Sequence, residues 1–316
     1  MAAFLARRVA AMILLLAIIS LGVFSLLYLA PGDAALALTR GRPVPPELLA
    51  ELRARYHLDD PFLTQYWIWL TNALQGDLGQ STVSGLPVVD TVRDRLPVTL
   101  FLGLYAFLIT MVVGVSLGIV SALRRRSAVD RTIVGVSIAG VSMPAFVTGI
   151  LLLYFFAVEI AIFPAFGPGE GFSSRLTHLT LPAIALALTQ TTYVLRLTRA
   201  AMIEALEHDS VAFARARGVP MRRVVVTYAL RNALVPIVTA AGMILGLLVV
   251  GAVIVEVVFS LQGLGALLFD AVSFKDVPMV QGLTLLAAAS IILLNLVTDL
   301  LYMVIDPRIR YERGRA

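Results

Sequence analysis

Six apolar stretches of 17–27 residues constrain this chain more than any other feature. They run roughly Val9–Leu29, Val98–Leu123, Thr132–Val158, Leu181–Leu197, Ala233–Val258 and Gln281–Ile305. About 20 apolar residues, wound as a helix, cross the hydrocarbon core of a bilayer. The chain is 59% hydrophobic and only 14% charged, whereas soluble domains run nearer a quarter charged. A length of 316 residues would accommodate two soluble domains, but runs this long and this free of charge exclude that reading. The expectation is an all-α integral membrane protein with six transmembrane helices.

The first stretch follows Arg7 and Arg8, as a signal peptide would. A signal core is about 7–15 residues long, and this one continues for 21, so it reads as a retained anchor. Charge orients the rest. Seventeen of the 25 cations fall on the side of the N-terminus: Arg7 and Arg8, Arg124 to Arg126 and Arg131, seven arginines between Arg196 and Arg231, and Arg308, Arg310, Arg313 and Arg315. The two short loops on the opposite side hold one cation each, Arg175 and Lys275. The positive-inside rule makes that first side cytoplasmic, with both termini there. Blocks of arginine between apolar runs also speak against nucleic-acid binding.

Residues 31–97 lie outside and are too long to be a simple loop. Pro31-Gly32-Asp33 ends the first span. Pro45-Pro46 before Glu47–Tyr56 predicts one helix with proline at its start. Pro61–Leu74 predicts a second, whose Tyr66, Trp67 and Trp69 suit the headgroup interface. Gly76-Asp-Leu-Gly79 is a turn signal. The segment reads either as a small cap on the outer face or as a shelf for an external partner.

No catalytic set is apparent. There are no cysteines, and His57, His178 and His208 are far apart and expected in loops. No Walker-type phosphate loop is present. Gly167-Pro-Gly169 and Gly263-Leu-Gly265 lack the strand-turn-helix setting of a dinucleotide site. Glu159 and Glu256 fall near the outer ends of the third and fifth stretches, within reach of water, and Asp299 near the inner end of the sixth. A proton relay wants acids nearer mid-membrane, and no matched pair of broken helices suggests an inverted-repeat carrier.

Between Leu195 and Pro236 the chain turns polar, with seven arginines, three acids and a histidine. A turn back into the membrane needs only a few residues. Thr198 to Ala216 favours helix. Asp209 and Ser210 are candidate caps for a helix starting there. Gly218 then offers a left-handed stop, Pro220 prevents simple continuation, and a second helix resumes at Met221. Phe213, beside Ala212 and Ala214, is expected as an aromatic knob on a small-residue surface that fits a groove. The competing reading is an amphipathic helix on anionic lipid, for which those alanines offer little apolar area.

The stretch Asp209-Ser-Val-Ala-Phe-Ala-Arg-Ala-Arg-Gly218-Val, followed by Tyr228-Ala-Leu-Arg-Asn-Ala-Leu-Val-Pro236, resembles the cytoplasmic coupling loop of bacterial ABC importer permeases of the dipeptide/oligopeptide group. Pro31-Gly-Asp33, Gly76-Asp-Leu-Gly79, Leu96-Pro-Val-Thr-Leu100, Ser142-Met-Pro-Ala-Phe146, His178-Leu-Thr-Leu-Pro182, Val258-Phe-Ser-Leu-Gln-Gly-Leu-Gly265 and Asp306-Pro-Arg308 agree in order along nearly the whole chain. The general importer motif places Glu-Ala-Ala ahead of the glycine. Here Ala212-Phe213-Ala214 stands in its place, and Arg231 replaces the distal proline.

The resemblance implies a type I importer permease in a bacterial plasma membrane. It implies a first transmembrane helix within 1–30, an extracytoplasmic helical insert at 31–97, and a core permease domain at 98–316 with its coupling loop at 198–220. Glu204, Asp209, Phe213, Ala214, Arg217 and Gly218 are the residues implied to meet the ATPase, with Glu204 or Asp209 replacing the missing glutamate. The implied partners are a second, different permease, two ATP-binding subunits, an extracytoplasmic substrate-binding protein and membrane lipid. The chain itself is then non-catalytic and binds no cofactor; ATP and magnesium sit on the partner subunits. The same motifs serve permeases for nickel, haem or glycosides, and an ion-coupled carrier is the alternative of a different class.

Overall fold

The computed structural model describes residues 2–29, 45–55 and 57–305. Pro31-Gly-Asp33 and Asp306-Pro-Arg308 lie outside them. The described regular structure is helical, with one isolated antiparallel bridge between Gln80 and Pro87. In chain order the helices are α1 (Ala2–Leu29), α2 (Pro46–Arg55), α3 (Phe62–Leu74), α4 (Val88–Leu123), α5 (Ala128–Val141) and α6 (Ala145–Leu152). They continue with α7 (Gly171–Glu207), α8 (Asp209–Ala216), α9 (Met221–Arg223), α10 (Leu230–Val258), α11 (Leu264–Ser273) and α12 (Val277–Ile305). Leu153–Glu159 and Val224–Ala229 are wider π-helical turns that prolong α6 and join α9 to α10.

Among the described residues, four helical spans are long and apolar enough to cross a membrane: Ala6–Tyr28, Val88–Leu123, Met221–Leu248 and Val277–Leu300. Only 17–33% of their most apolar windows is buried within the chain. The rest is apolar surface that water does not tolerate over such lengths. The expected third span is not one straight helix. It bends by 99° between Ala128–Val141 and Ala145–Glu159, and counts as a fifth crossing only if the two arms are taken together. Pro144 is the cause: it disfavours helix at the residue before it and has no N–H to continue the ladder.

The expected fourth span lies inside α7, a helix not among those apolar enough to cross. Its centre is instead packed inward, with Leu181, Ala183, Ala185, Leu186, Val194 and Leu195 buried. α4 begins at Val88, ten residues before the apolar run, and carries Pro97 inside it.

The chain divides into two compact units. The first comprises residues 1–99 and 262–292, the second 100–261 and 293–316. In the first, α1 and α3 join through rings: Phe24 lies 5.7 Å from Tyr66 and 5.6 Å from Trp69 between centroids. Of the three aromatics expected at the headgroup level, then, Tyr66 and Trp69 pack inward and Trp67 is the exposed one. Buried Asp276 precedes α12 and accepts from the Ser81 and Thr82 hydroxyls and from the Thr82 and Met279 amides. It thereby ties the turn after Gly79 to the head of α12. Gly282 allows that approach, because a Cβ there would stand 2.8 Å from Val88 Cγ1.

The second unit is built on α7. Gly114 and Gly118 of α4 meet it without side chains: a Cβ at Gly114 would lie 2.8 Å from Val194 Cβ, and one at Gly118 2.7 Å from Thr198 Cβ. Thr192 of α7 donates to the Ser137 carbonyl of α5 at 2.8 Å. Small residues one helical turn apart let two backbones close on each other, the usual means of packing helices in lipid. Glu256, expected within reach of water, is instead fully buried in α10.

Candidate coupling surface

The polar run folds as a helix, a hinge, a short helix, a tight turn and a returning helix. α7 ends at Glu207 because His208 adopts an extended backbone, with ψ of 145°. His208, rather than Asp209 or Ser210, is the N-cap of α8: its ring Nδ1 accepts from the Ser210 amide at 3.3 Å. Asp209 occupies the first turn of α8, where a carboxylate suits the positive end of the helix dipole. His178, expected in a loop, sits within α7 with its ring against the Ser174 carbonyl.

α8 closes with a Schellman motif. The Gly218 amide donates to the Arg215 carbonyl at 2.9 Å and the Val219 amide to the Ala214 carbonyl at 3.1 Å. Gly218 has φ of +73°, and a Cβ built there would meet nothing within 4 Å. Its requirement is therefore conformational rather than steric. Asparagine tolerates this left-handed region, alanine costs about 1–2 kcal/mol there, and a β-branched residue costs more. The expected order of transport activity is accordingly Gly218→Asn above Gly218→Ala above Gly218→Val, read as uptake by equal amounts of inserted protein. Equal activity of all three would show that the turn does not matter.

The loop is fastened from behind. Val211 and Ala214 of α8 are buried with Met202 and Ala205 of α7, Ala122 of α4, and Val224, Val225 and Ala229 of the returning segment. Val219 packs on the same cluster. Ala214 thus faces inward, at 4% exposure, and is not part of the outer surface expected for it. Phe213 is its opposite: it stands 70% exposed on a helix whose inner face is already occupied. Glu204, Asp209, Arg217 and Gly218 are also exposed. Asp209 and Arg217 stand one helical turn before and after Phe213, so that face of α8 carries a large ring between an acid and a base. Met221, 46% exposed just beyond the turn, is a second apolar side chain that the sequence did not single out.

A second group escaped the sequence because its members are far apart. Arg199 of α7 grips Asp130 of α5 with two bonds of 2.8 Å, from Nε to Oδ1 and from Nη2 to Oδ2. Ser121 of α4 donates to the same carboxylate and accepts from Arg199 Nε at 3.1 Å. The Arg126 amide donates to Asp130 Oδ2 at 2.9 Å, and Ser127 caps α5 by accepting from the Asp130 amide. Asp130 is 4% exposed. Nearer α8, Arg125 and Glu207 form an exposed pair at 2.6 Å.

Around Phe213 the arrangement offers an exposed knob on a packed mount. Residues 114–311 match the family model described as binding-protein-dependent transport system inner membrane component, and residues 1–103 match the model for its N-terminal part. A putative peptide transport system permease protein of Brucella abortus (strain 2308) is 39% identical, over 99% of this chain and all of that protein. The dipeptide transport system permease DppB of Escherichia coli (strain K12) is 35% identical over 98% of this chain and 99% of its own length. The glutathione transport system permease GsiC of Escherichia coli O6:H1 is 37% identical over 97% and 98%. Among solved structures, a chain from the inward-facing MetNI methionine ABC transporter shares the fold, with a TM-score of 0.57 at 18% identity, covering 68% of this chain and 96% of that one. With family models matched across both of its parts and relatives aligned along nearly its whole length, the chain belongs to the inner-membrane permease components of binding-protein-dependent transport systems.

Proposed function

We propose that this chain is one of two membrane subunits lining the path of an ATP-driven importer for di- or oligopeptides. In this reading it has six membrane crossings, with α7 as the inward-packed fourth, and both termini in the cytoplasm. Two ATP-binding subunits hydrolyse ATP with magnesium; the chain itself binds no cofactor and catalyses nothing. A second permease, different from this chain, completes the path, and an extracytoplasmic binding protein delivers the peptide. The names of the relatives support the cargo.

The observation that carries the reading is the exposure of Phe213 on a helix fastened through Val211 and Ala214. A large ring held rigidly in the aqueous phase is the kind of group that anchors a protein interface. Asp209 stands one helical turn before it, and in this reading Asp209 or Glu204, both exposed, takes the place of the glutamate of the general importer motif. Coupling then requires that this surface make different contacts in the two states of the transporter.

The test is purification of the tagged chain from its own membranes, then reconstitution with candidate binding proteins. The expected result is co-purification of ATP-binding subunits and ATP-dependent dipeptide uptake. Stimulation only by a nickel-, haem- or glycoside-loaded binding protein would change the cargo and keep the architecture. Ion-driven uptake without any ATP-binding subunit would overturn the proposal.

A further inference from the structure

We propose that the Asp130–Arg199–Ser121 group is the positioning element that passes movement of α8 into the membrane helices. The inference rests on the coupling role proposed for Phe213 and Gly218. It is argued from the contrast between two ion pairs on either side of one short loop.

The loop Arg124–Ser127 joins α4 to α5, and the loop and the first turn of α5 each form one ion pair with α7. In one, Arg125 meets Glu207 with side chains 44% and 68% exposed. A pair in that setting is screened by water and fixes little. In the other, Arg199 meets Asp130 with side chains 29% and 6% exposed. The carboxylate there also takes the Ser121 hydroxyl and the Arg126 amide, so α4, the loop, α5 and α7 all converge on it.

A buried ion pair is a poor means of adding stability, since well-packed apolar residues of similar size often serve as well or better. What the pair supplies is geometry. The planar guanidinium held by two parallel bonds fixes the rotation of α7 against α5, which one bond or an apolar contact does not. Arg199 also sits between two contacts that matter. One residue earlier, Thr198 packs on Gly118 of α4. One turn later, Met202 lies in the cluster beneath α8. A displacement of α8 therefore reaches Met202, then Arg199, and from there α4 and α5 together.

The test uses the complete transporter in proteoliposomes, with its binding protein and a dipeptide. The quantity read is peptide imported per ATP hydrolysed. Asp130→Asn and Arg199→Lys are expected to lower this ratio at least tenfold while ATP hydrolysis persists. The double variant Asp130→Leu/Arg199→Met is expected to assemble, melt near the wild-type temperature and still show the low ratio. Glu207→Gln, which breaks only the exposed pair, is expected to leave the ratio unchanged. A wild-type ratio in the double variant would overturn the proposal and leave the coupling surface standing. Loss of the assembled complex in the single and double variants alike would overturn it too, since the group would then serve folding. A wild-type complex that shows no ATP-coupled uptake would defeat the underlying reading, and this inference with it.

Discussion

Replacing Phe213 with alanine is expected to reduce ATP-dependent uptake at least tenfold, with little change in the stability of the chain. The ring is 70% exposed and its own helix is held by Val211 and Ala214, so the folded subunit loses little by its removal. Surface changes of this kind usually stay within about 0.5 kcal/mol. An aromatic anchor at the centre of an interface is worth about 2 kcal/mol or more on truncation, and each 1.4 kcal/mol is about tenfold in affinity. The loss should therefore appear as a weaker hold on the ATP-binding subunits and as hydrolysis without import. Phe213→Tyr, which keeps the ring, should retain most activity. Uptake and an unfolding curve recorded on the same preparations separate this outcome from simple misfolding, which would lower both.

Gly118→Val should do the opposite and cost the fold itself. A Cβ at that position would stand 2.7 Å from Thr198 Cβ and 2.8 Å from the Leu195 carbonyl oxygen. One of those neighbours is backbone, so rotating a side chain gives no relief, and α4 has to move away from α7. Overpacking of this sort costs about 1–3 kcal/mol and occasionally more, and valine adds two further carbons to the clash. The expected result is a clear drop in melting temperature and poor recovery of monodisperse protein in detergent. Gly103 of the same helix is the control, because a Cβ there would meet nothing within 4 Å. Gly103→Ala should be neutral or slightly stabilising, given the better helix propensity of alanine. A Gly118→Val protein that melts with the wild type would show that the two helices do not pack this closely.

The membrane class was legible because hydrocarbon leaves few solutions: long apolar runs must be helices that satisfy their own backbones. The Gly218 turn was legible for a similar reason, since glycine followed by proline two residues later is a local signal with a local cause. The bend at Pro144 was not, because apolar residues continue on both sides of it and hydropathy alone does not register direction. α7 was only half legible. Thr189, Gln190, Thr191 and Thr192 interrupt its apolar pattern; Thr189 and Thr191 donate back to carbonyls of α7 itself, and of these threonines only Thr192 needs a neighbour, the Ser137 carbonyl of α5, which sequence alone does not reveal.

The proposed coupling surface divides along the same line. Exposure of Phe213 followed from its place in a polar run. The inward turn of Ala214 depended on where α8 begins, and His208 set that register rather than Asp209 or Ser210. Asp130 and Arg199 are 69 positions apart, and nothing local announces that they meet.

The central claim is that Phe213 touches an ATP-binding subunit and moves against it during the cycle. The chain has no cysteine, so a single one can be placed without background. Phe213→Cys and Ala214→Cys, each labelled with a short maleimide that carries a photoreactive benzophenone and then irradiated in the assembled transporter, provide the measurement. The account predicts cross-linking to the ATP-binding subunit from position 213, a yield that changes on adding ATP, and none from the buried position 214. Equal yields at both positions, or no cross-link at 213 in an intact complex, would contradict it.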